Sequence, residues 1–298
     1  MNGGVAIELV GDRAAFHPGD RVRGRVVWPT TAAAAPAQIR LQAEGAVYLN
    51  LSPKSVGLFE AFYSSLKPIS VLNKSLNLLP APSTSTTQVE YPFEFVLDDS
   101  DDGQRLISSY KGKLIAVQYA LSVYTGRRFL PSTPKATREF VVAAYGPPSE
   151  CRPARSPFRS HGYCQSQGEN EAQIDLEIDL EGAIDNTLCS IEAEALSGEV
   201  VITRSTKQIR AITLTLNRIE TCEYSEGALS DKSEVHTMEV AVGNVARNLP
   251  IPIQMPWPRL KTCPSITHDE FAIAFEVELR VHFVTGQYMV ERIPIRLY

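Results

Sequence analysis

Apolar and polar residues alternate through much of this chain. In the first half, Val22, Val26 and Trp28, then Ile39, Leu41 and Ala43, then Phe93, Phe95 and Leu97, and finally Val117, Tyr119, Leu121 and Val123 keep an even spacing. Successive side chains of a strand point to opposite faces, so this spacing predicts strands with one buried face. The second half repeats the signal at Ile174, Leu176, Ile178 and Leu180, at Val200 and Ile202, at Ile212, Leu214 and Leu216, and from Phe271 through Ile273, Phe275, Val277 and Leu279 to Val281. Turn-forming stretches such as His17-Pro-Gly-Asp20 and Ser197-Gly198 separate these runs. Short antiparallel strands at regular intervals predict an all-β fold built from sandwiches.

The pattern also repeats as a whole. Val22-Arg-Gly-Arg-Val-Val-Trp28 and then Gln38-Ile-Arg-Leu-Gln-Ala-Glu44 return as Leu196-Ser-Gly-Glu-Val-Val-Ile202 and then Gln208-Ile-Arg-Ala-Ile-Thr-Leu214. Tyr91-Pro-Phe-Glu-Phe-Val-Leu97 answers to Leu249-Pro-Ile-Pro-Ile-Gln-Met255, and the run from Gly112 to Tyr124 answers to that from Glu270 to Val281. A period near half the chain is too long for a solenoid, whose repeats run roughly 20 to 50 residues. Two tandem β-sandwich domains are expected, at 1–144 and 171–298, joined by a linker at 145–170 that opens with Tyr145-Gly-Pro-Pro148 and is rich in Pro, Ser, Arg and Gln. Arg152, Arg155, Arg159 and His161 lie in it without an apolar face, the pattern of a solvated linker.

Two segments stand outside the repeat. Lys54 to Lys67 has no counterpart in the second half, and a turn expected at Glu239 to Gly243 has no evident one in the first. Within the former, Val56, Phe59, Phe62, Tyr63 and Leu66 follow a spacing near 3.6 between Pro53 and Pro68. A short helix and a loop whose aromatics cover a sandwich edge both fit.

Composition narrows the function. The 298 residues suffice for two cores without a metal or disulfide, and the net charge of −5 argues against a general nucleic-acid binder, which neutralises phosphates with a basic patch. No apolar run approaches the roughly 20 residues that span a bilayer, and no secretory signal opens the chain, so a cytosolic protein is expected, one that reaches membranes peripherally and indirectly. Cys151, Cys164, Cys189, Cys222 and Cys263 lack zinc or redox spacing. His17, His161, His236, His268 and His282 are scattered. Asp98, Ser100, Asp102 and Gly103 imitate a calcium loop, but Ser109 stands where the closing glutamate belongs. Asp175, Glu177, Asp179 and Glu181 alternate with apolar residues and read as one solvated strand face. No nucleophile elbow, phosphate loop or dinucleotide turn occurs. The expectation is a non-enzyme without cofactor or metal; a catalytic or sugar-binding sandwich would need groups assembled from distant strands.

Leu51-Ser-Pro-Lys-Ser-Val-Gly-Leu-Phe-Glu-Ala-Phe-Tyr-Ser-Ser-Leu-Lys-Pro-Ile69 closely resembles a segment of the arrestin-like subunits of retromer and the related retriever coat. Tyr91-Pro-Phe-Glu-Phe95, Val117-Gln-Tyr-Ala-Leu121, Arg218-Ile-Glu-Thr-Cys222 with Glu226-Gly227, and Pro258-Arg-Leu-Lys-Thr-Cys-Pro264 extend that resemblance over nearly the whole chain. It implies two tandem arrestin-like sandwiches and a non-catalytic role in an endosomal coat that retrieves integral membrane cargo. The implied partners are a helical-solenoid coat subunit, through it a small phosphoesterase-fold subunit, and a sorting nexin that chooses cargo. A stand-alone arrestin-type adaptor is the alternative. In the retromer subunits a hydrophobic pair in a second-domain loop docks on the solenoid, and aligning on Ile251-Pro-Ile253 puts that pair at Val240 and Ala241. Met238 and Glu239 precede it, and Val242 and Gly243 complete the expected turn. These residues are smaller than the family's pair, so neighbours such as Met238 are expected to share the contact.

Overall fold

The computed structural model describes residues 4–11, 15–30, 35–51, 68–82, 88–99, 105–125, 133–144, 155–162, 177–185, 188–190, 194–224, 227–257 and 263–298. Among these there are strands and no helix. The segment from Lys54 to Lys67 and its helix-or-loop question lie outside the described residues, as do Cys151, Cys164 and the calcium-like loop from Ser100 to Gly103. The chain divides into two compact units, Met1–Tyr145 and Gly146–Tyr298.

The first unit holds β1 (Ala6–Leu9), β2 (Arg21–Pro29), β3 (Ile39–Leu49), β4 (Ile69–Leu78), β5 (Gln88–Val96), β6 (Tyr110–Lys111), β7 (Ile115–Tyr124) and β8 (Ala136–Phe140). One sheet has the order β1-β2-β5; the other has β4-β3-β7-β6, with β8 also on β7. The alternating residues supply the core: Val22, Val26, Leu41, Ala43, Tyr91, Tyr119, Leu121 and Val123 are all almost wholly buried.

The second unit holds β9 (Ser156–Gly162), β10 (Ile178–Ile184), β11 (Leu188–Cys189), β12 (Ala195–Ser205), β13 (Ile209–Tyr224), β14 (Gly227–Val242), β15 (Pro250–Pro256), β16 (Ile266–Thr267), β17 (Phe271–Phe283) and β18 (Tyr288–Leu297). Its sheets have the orders β15-β12-β10-β9 and β11-β18-β17-β13-β14, with β16 on β17. The duplication therefore extends to topology. β5-β2-β1 matches β15-β12-β10, and β4-β3-β7 with β6 and β8 matches β14-β13-β17 with β16 and β18. The fold is all-β, in two arrestin-like sandwich halves.

One glycine shows why the sequence repeat includes it. A Cβ on Gly24 of β2 would collide with the Glu8 carbonyl, and one on Gly198 of β12 with the Ala183 carbonyl. At both equivalent positions the neighbouring backbone approaches too closely for any other residue.

The stretch expected as linker contains regular structure. β9 pairs antiparallel with β10 from Ser156↔Ile184 to Gly162↔Ile178. Phe158 is its buried anchor, seated against Gly182. Arg159 reaches Glu181, and the neighbouring Arg155 pairs with Glu199 and Asp185. An edge strand whose described side chains bury Phe158 and leave a solvated charged face has the composition of a linker, which is why no periodicity announces it.

Candidate functional site

The residues expected to dock a partner, Met238, Glu239, Val240, Ala241, Val242 and Gly243, lie together at one end of the long β13–β14 hairpin. They do not form a loop. Met238 to Val242 belong to β14, the edge strand of its sheet, and only Gly243 begins the turn. The strand itself, β14, corresponds to β4, the edge strand of the first unit.

Register decides which way each side chain faces. Met238 opposes Leu214, and Ala241 opposes Ile212, both fully buried, so these two positions share the core face. Glu239 opposes Thr213 and Val242 opposes Ala211 on the outer face. Val240 falls between the pairs Ile212↔Ala241 and Thr213↔Glu239 and is the extra residue of a β-bulge. A second bulge leaves Val235 unpaired between Leu216↔His236 and Asn217↔Glu234. Bulges bend an edge strand and redirect its side chains, which discourages indiscriminate pairing along its length.

The end of this edge is apolar and open. Val242 is 73% exposed, and Leu249, beyond the turn, is 57% exposed. Gly243 takes a φ of 85°, where an L side chain is strained, and its N–H donates to the Arg210 carbonyl at 2.7 Å. The turn is tied at its far side by the Asn248 N–H, which donates to the Ile202 carbonyl at 2.9 Å. Val284, 62% exposed, lies at the same end of the sheet, its N–H donating to the Gln208 carbonyl.

Beside this edge, the outer face of the sheet carries a polar basin of about 580 Å³. Thr213, Thr215 and Asn217 of β13 form its floor; Lys232, Glu234 and Thr237 come from β14, and Glu278, Arg280, His282 and Arg292 from β17 and β18. Its centre is Glu278, whose side chain is 7% exposed. The carboxylate accepts from Lys232 Nζ at 2.8 Å and Arg280 Nη2 at 2.6 Å, with Arg292 Nε at 3.4 Å. Lys232 also binds Glu276 at 2.5 Å. Lys232 thus reaches across β13 and fastens the edge strand to β17.

Burial alone would raise the Glu278 pKa, but the hydrogen bonds and charges of Lys232 and Arg280 prevail and hold it down at about 2. His282, 3.0 Å from Thr213 Oγ1 through Nε2, is pushed below its ordinary value by burial and then by Arg280 and Arg210. Asn217 is 4% exposed, and its Nδ2 has no hydrogen-bond partner. Nothing in the sequence sets Glu278 or Asn217 apart, because both occupy ordinary outward-facing strand positions.

Nucleophile chemistry finds little support at the described cysteines. Cys222 and Cys263 are buried thiols, each pushed up to about 12 chiefly by burial, so the thiolate is scarce at neutral pH. Among the described residues no group of three or more His, Cys, Asp or Glu is placed to hold a metal, and no helix is long and apolar enough to cross a membrane.

Residues 11–284 match the family model described as vacuolar protein sorting-associated protein 26, Vps26. The chain belongs to the Vps26 family. A curated Vps26-family relative, vacuolar protein sorting-associated protein 26C of Dictyostelium discoideum, is 30% identical over 305 residues, covering 100% of this chain and 99% of the relative. Family membership makes the chain a retromer-like subunit of endosomal protein transport, and members of the Vps26 family are structural trafficking subunits.

Proposed function

We propose that this chain is the arrestin-like, non-catalytic subunit of a retriever-type endosomal coat. It binds a helical-solenoid subunit, and through it a small phosphoesterase-fold subunit, while a sorting nexin adaptor selects integral membrane cargo for recycling. Its association with endosomes is peripheral and indirect. The observation that carries this reading is the end-to-end similarity to a Vps26C protein. The open apolar end of β14, from Met238 to Gly243, supports the placement of the solenoid contact.

The register refines the test. Ala241 faces the core opposite Ile212, so Ala241→Asp disturbs the sandwich as well as the surface. Val242 faces outward at 73% exposure, so Val242→Asp leaves the fold intact. Burying a valine contributes roughly 1.5–3 kcal/mol, and trapping an unpaired carboxylate in its place costs several more. Val242→Asp is therefore expected to weaken the complex with the solenoid subunit by about 100-fold or more. Val240→Asp combined with Ala241→Asp is expected to weaken it further. Affinity within threefold of the parent for Val242→Asp removes the β14 end from the interface. A parent chain that captures no solenoid subunit at all supports the stand-alone adaptor instead.

A further inference from the structure

Open apolar side chains are unevenly placed on the second unit. Among its described residues the large ones left exposed are Val242, Leu249 and Val284, and all three flank turns at one end of the sandwich. Three turns meet there: 206–208 between β12 and β13, 243–249 between β14 and β15, and 284–287 between β17 and β18. Backbone hydrogen bonds tie them to the same few residues. The Val284 N–H donates to the Gln208 carbonyl at 3.0 Å, the Gly243 N–H to that of Arg210, and the Asn248 N–H to that of Ile202. The Asn244 side-chain oxygen accepts from the Ile209 N–H at 3.3 Å and from Arg247 Nη2 at 3.2 Å. An apolar end held in one geometry loses little freedom when a partner covers it, and grouped exposed apolar residues mark such contacts.

The charges around this end are one-sided. Lys207 and Arg210 are exposed, Arg247 is half-buried, and none of the three forms an ion pair among the described residues. Arg247 folds back on its own turn, donating to the Val245 carbonyl and to Asn244. Arg210 is the extra residue of a bulge between the pairs Ile209↔Phe283 and Ala211↔His282. A further cation, Arg204, is neutralised by Glu177 at 2.5 Å. Against the three unpaired cations stands one carboxylate outside an ion pair, Glu239 of β14, in a chain whose net charge is −5. An open apolar centre with a cationic rim complements a surface that has an apolar centre and a carboxylate rim. An anionic membrane shares that charge, but a lipid-binding segment lays one continuous apolar face into the bilayer. Here two valines and one leucine are split between two turns.

We propose that this end seats an acidic partner surface: Val242, Leu249 and Val284 cover an apolar patch of the solenoid subunit, while Lys207, Arg210 and Arg247 meet aspartates and glutamates at its margin. The inference rests on the solenoid reading above and adds to it the charge of the partner's face and the turns 206–208 and 284–287. Binding of the full 298-residue chain to the purified solenoid subunit is measured by biolayer interferometry at about 50 and about 300 mM NaCl. The parent is expected to lose affinity at least tenfold over this range, chiefly through slower association. Lys207→Glu combined with Arg210→Glu is expected to weaken binding at least tenfold at the lower salt and to remove most of the salt dependence. Both residues are exposed, so urea unfolding is expected to match the parent; if it does not, Lys207→Gln with Arg210→Gln carries the comparison. Val284→Ser is expected to weaken binding at least threefold and to leave the salt dependence in place. Lys135→Glu, at an exposed site of the first unit, is expected to stay within threefold of the parent. A parent complex indifferent to salt, a double reversal within threefold of the parent, or an equal loss in Lys135→Glu overturns the proposal and leaves the solenoid subunit as partner. A parent that binds no solenoid subunit overturns both. Vesicles of phosphatidylcholine with about 30% phosphatidylserine supply the remaining arm. Binding to them that the double reversal abolishes, with the solenoid complex spared, assigns this end to the membrane instead.

Discussion

Removing the charge of Glu278 while keeping its shape, by Glu278→Gln, tests whether the basin clamps β14 to the sheet. A carboxyl held at about 2 instead of its ordinary 4.5 is stabilised in its charged form by about 3 kcal/mol, taking about 1.4 kcal/mol for each tenfold change. The substitution also leaves Lys232, Arg280 and Arg292 facing one another without their shared counter-charge. Because the folded pKa lies below the unfolded one, the contribution is complete above about pH 4.5 and is lost as pH falls through about 2. Urea unfolding of the second unit can be followed by the buried Trp257 in a Trp28→Phe background. The unfolding free energy of Glu278→Gln is expected to fall by about 3 kcal/mol at pH 7, and the gap to the parent to narrow to about half by pH 3. A loss below about 1 kcal/mol, or a gap that stays constant between pH 7 and pH 3, would refute the clamp.

Two further outcomes test the packing. Gly45→Ala drives a methyl into the Tyr119 ring, which cannot retreat without breaking the Tyr119 hydroxyl's bonds to the Ile107 carbonyl at 2.6 Å and N–H at 3.2 Å. A loss of about 1–3 kcal/mol is expected in denaturant unfolding, against no change for Gly4→Ala, where nothing lies within 4 Å. Cys222 and Cys263 are expected to react with a thiol reagent at least about 100-fold more slowly in the native protein than in urea, as mapped by peptide mass spectrometry; labelling of either at the unfolded rate contradicts their burial.

The alternating runs make the central strands legible from residue order. Leu41 and Ala43, Tyr119 and Leu121, and Phe271 through Val281 each bury one whole face, so their spacing is written into the residues themselves. Edge strands carry no such record. β14 spans 16 residues of which Val235 alone is buried, and β9 rests chiefly on Phe158, so their polar composition suggests a turn and a linker. The family resemblance brings Met238 to Gly243 forward, yet alignment cannot say that Ala241 faces the core and Val242 the solvent. Two bulges set that, and a bulge exists only in the pairing of two strands.

The all-β class, the duplication and the Vps26 kinship follow from the sequence alone, because hydrophobic period, close-packed glycines such as Gly24 and Gly198, and unusual segments are properties of local order along the chain. Tertiary structure decides which strands lie at edges, which apolar residues remain open, and that Glu278 is buried. Glu278 stands at an outward position like its neighbours Glu276 and Arg280; what removes it from water is Lys232, 46 residues away in sequence, reaching over β13 to meet it. Burial and charge balance arise from contacts between distant segments, and no local pattern encodes them.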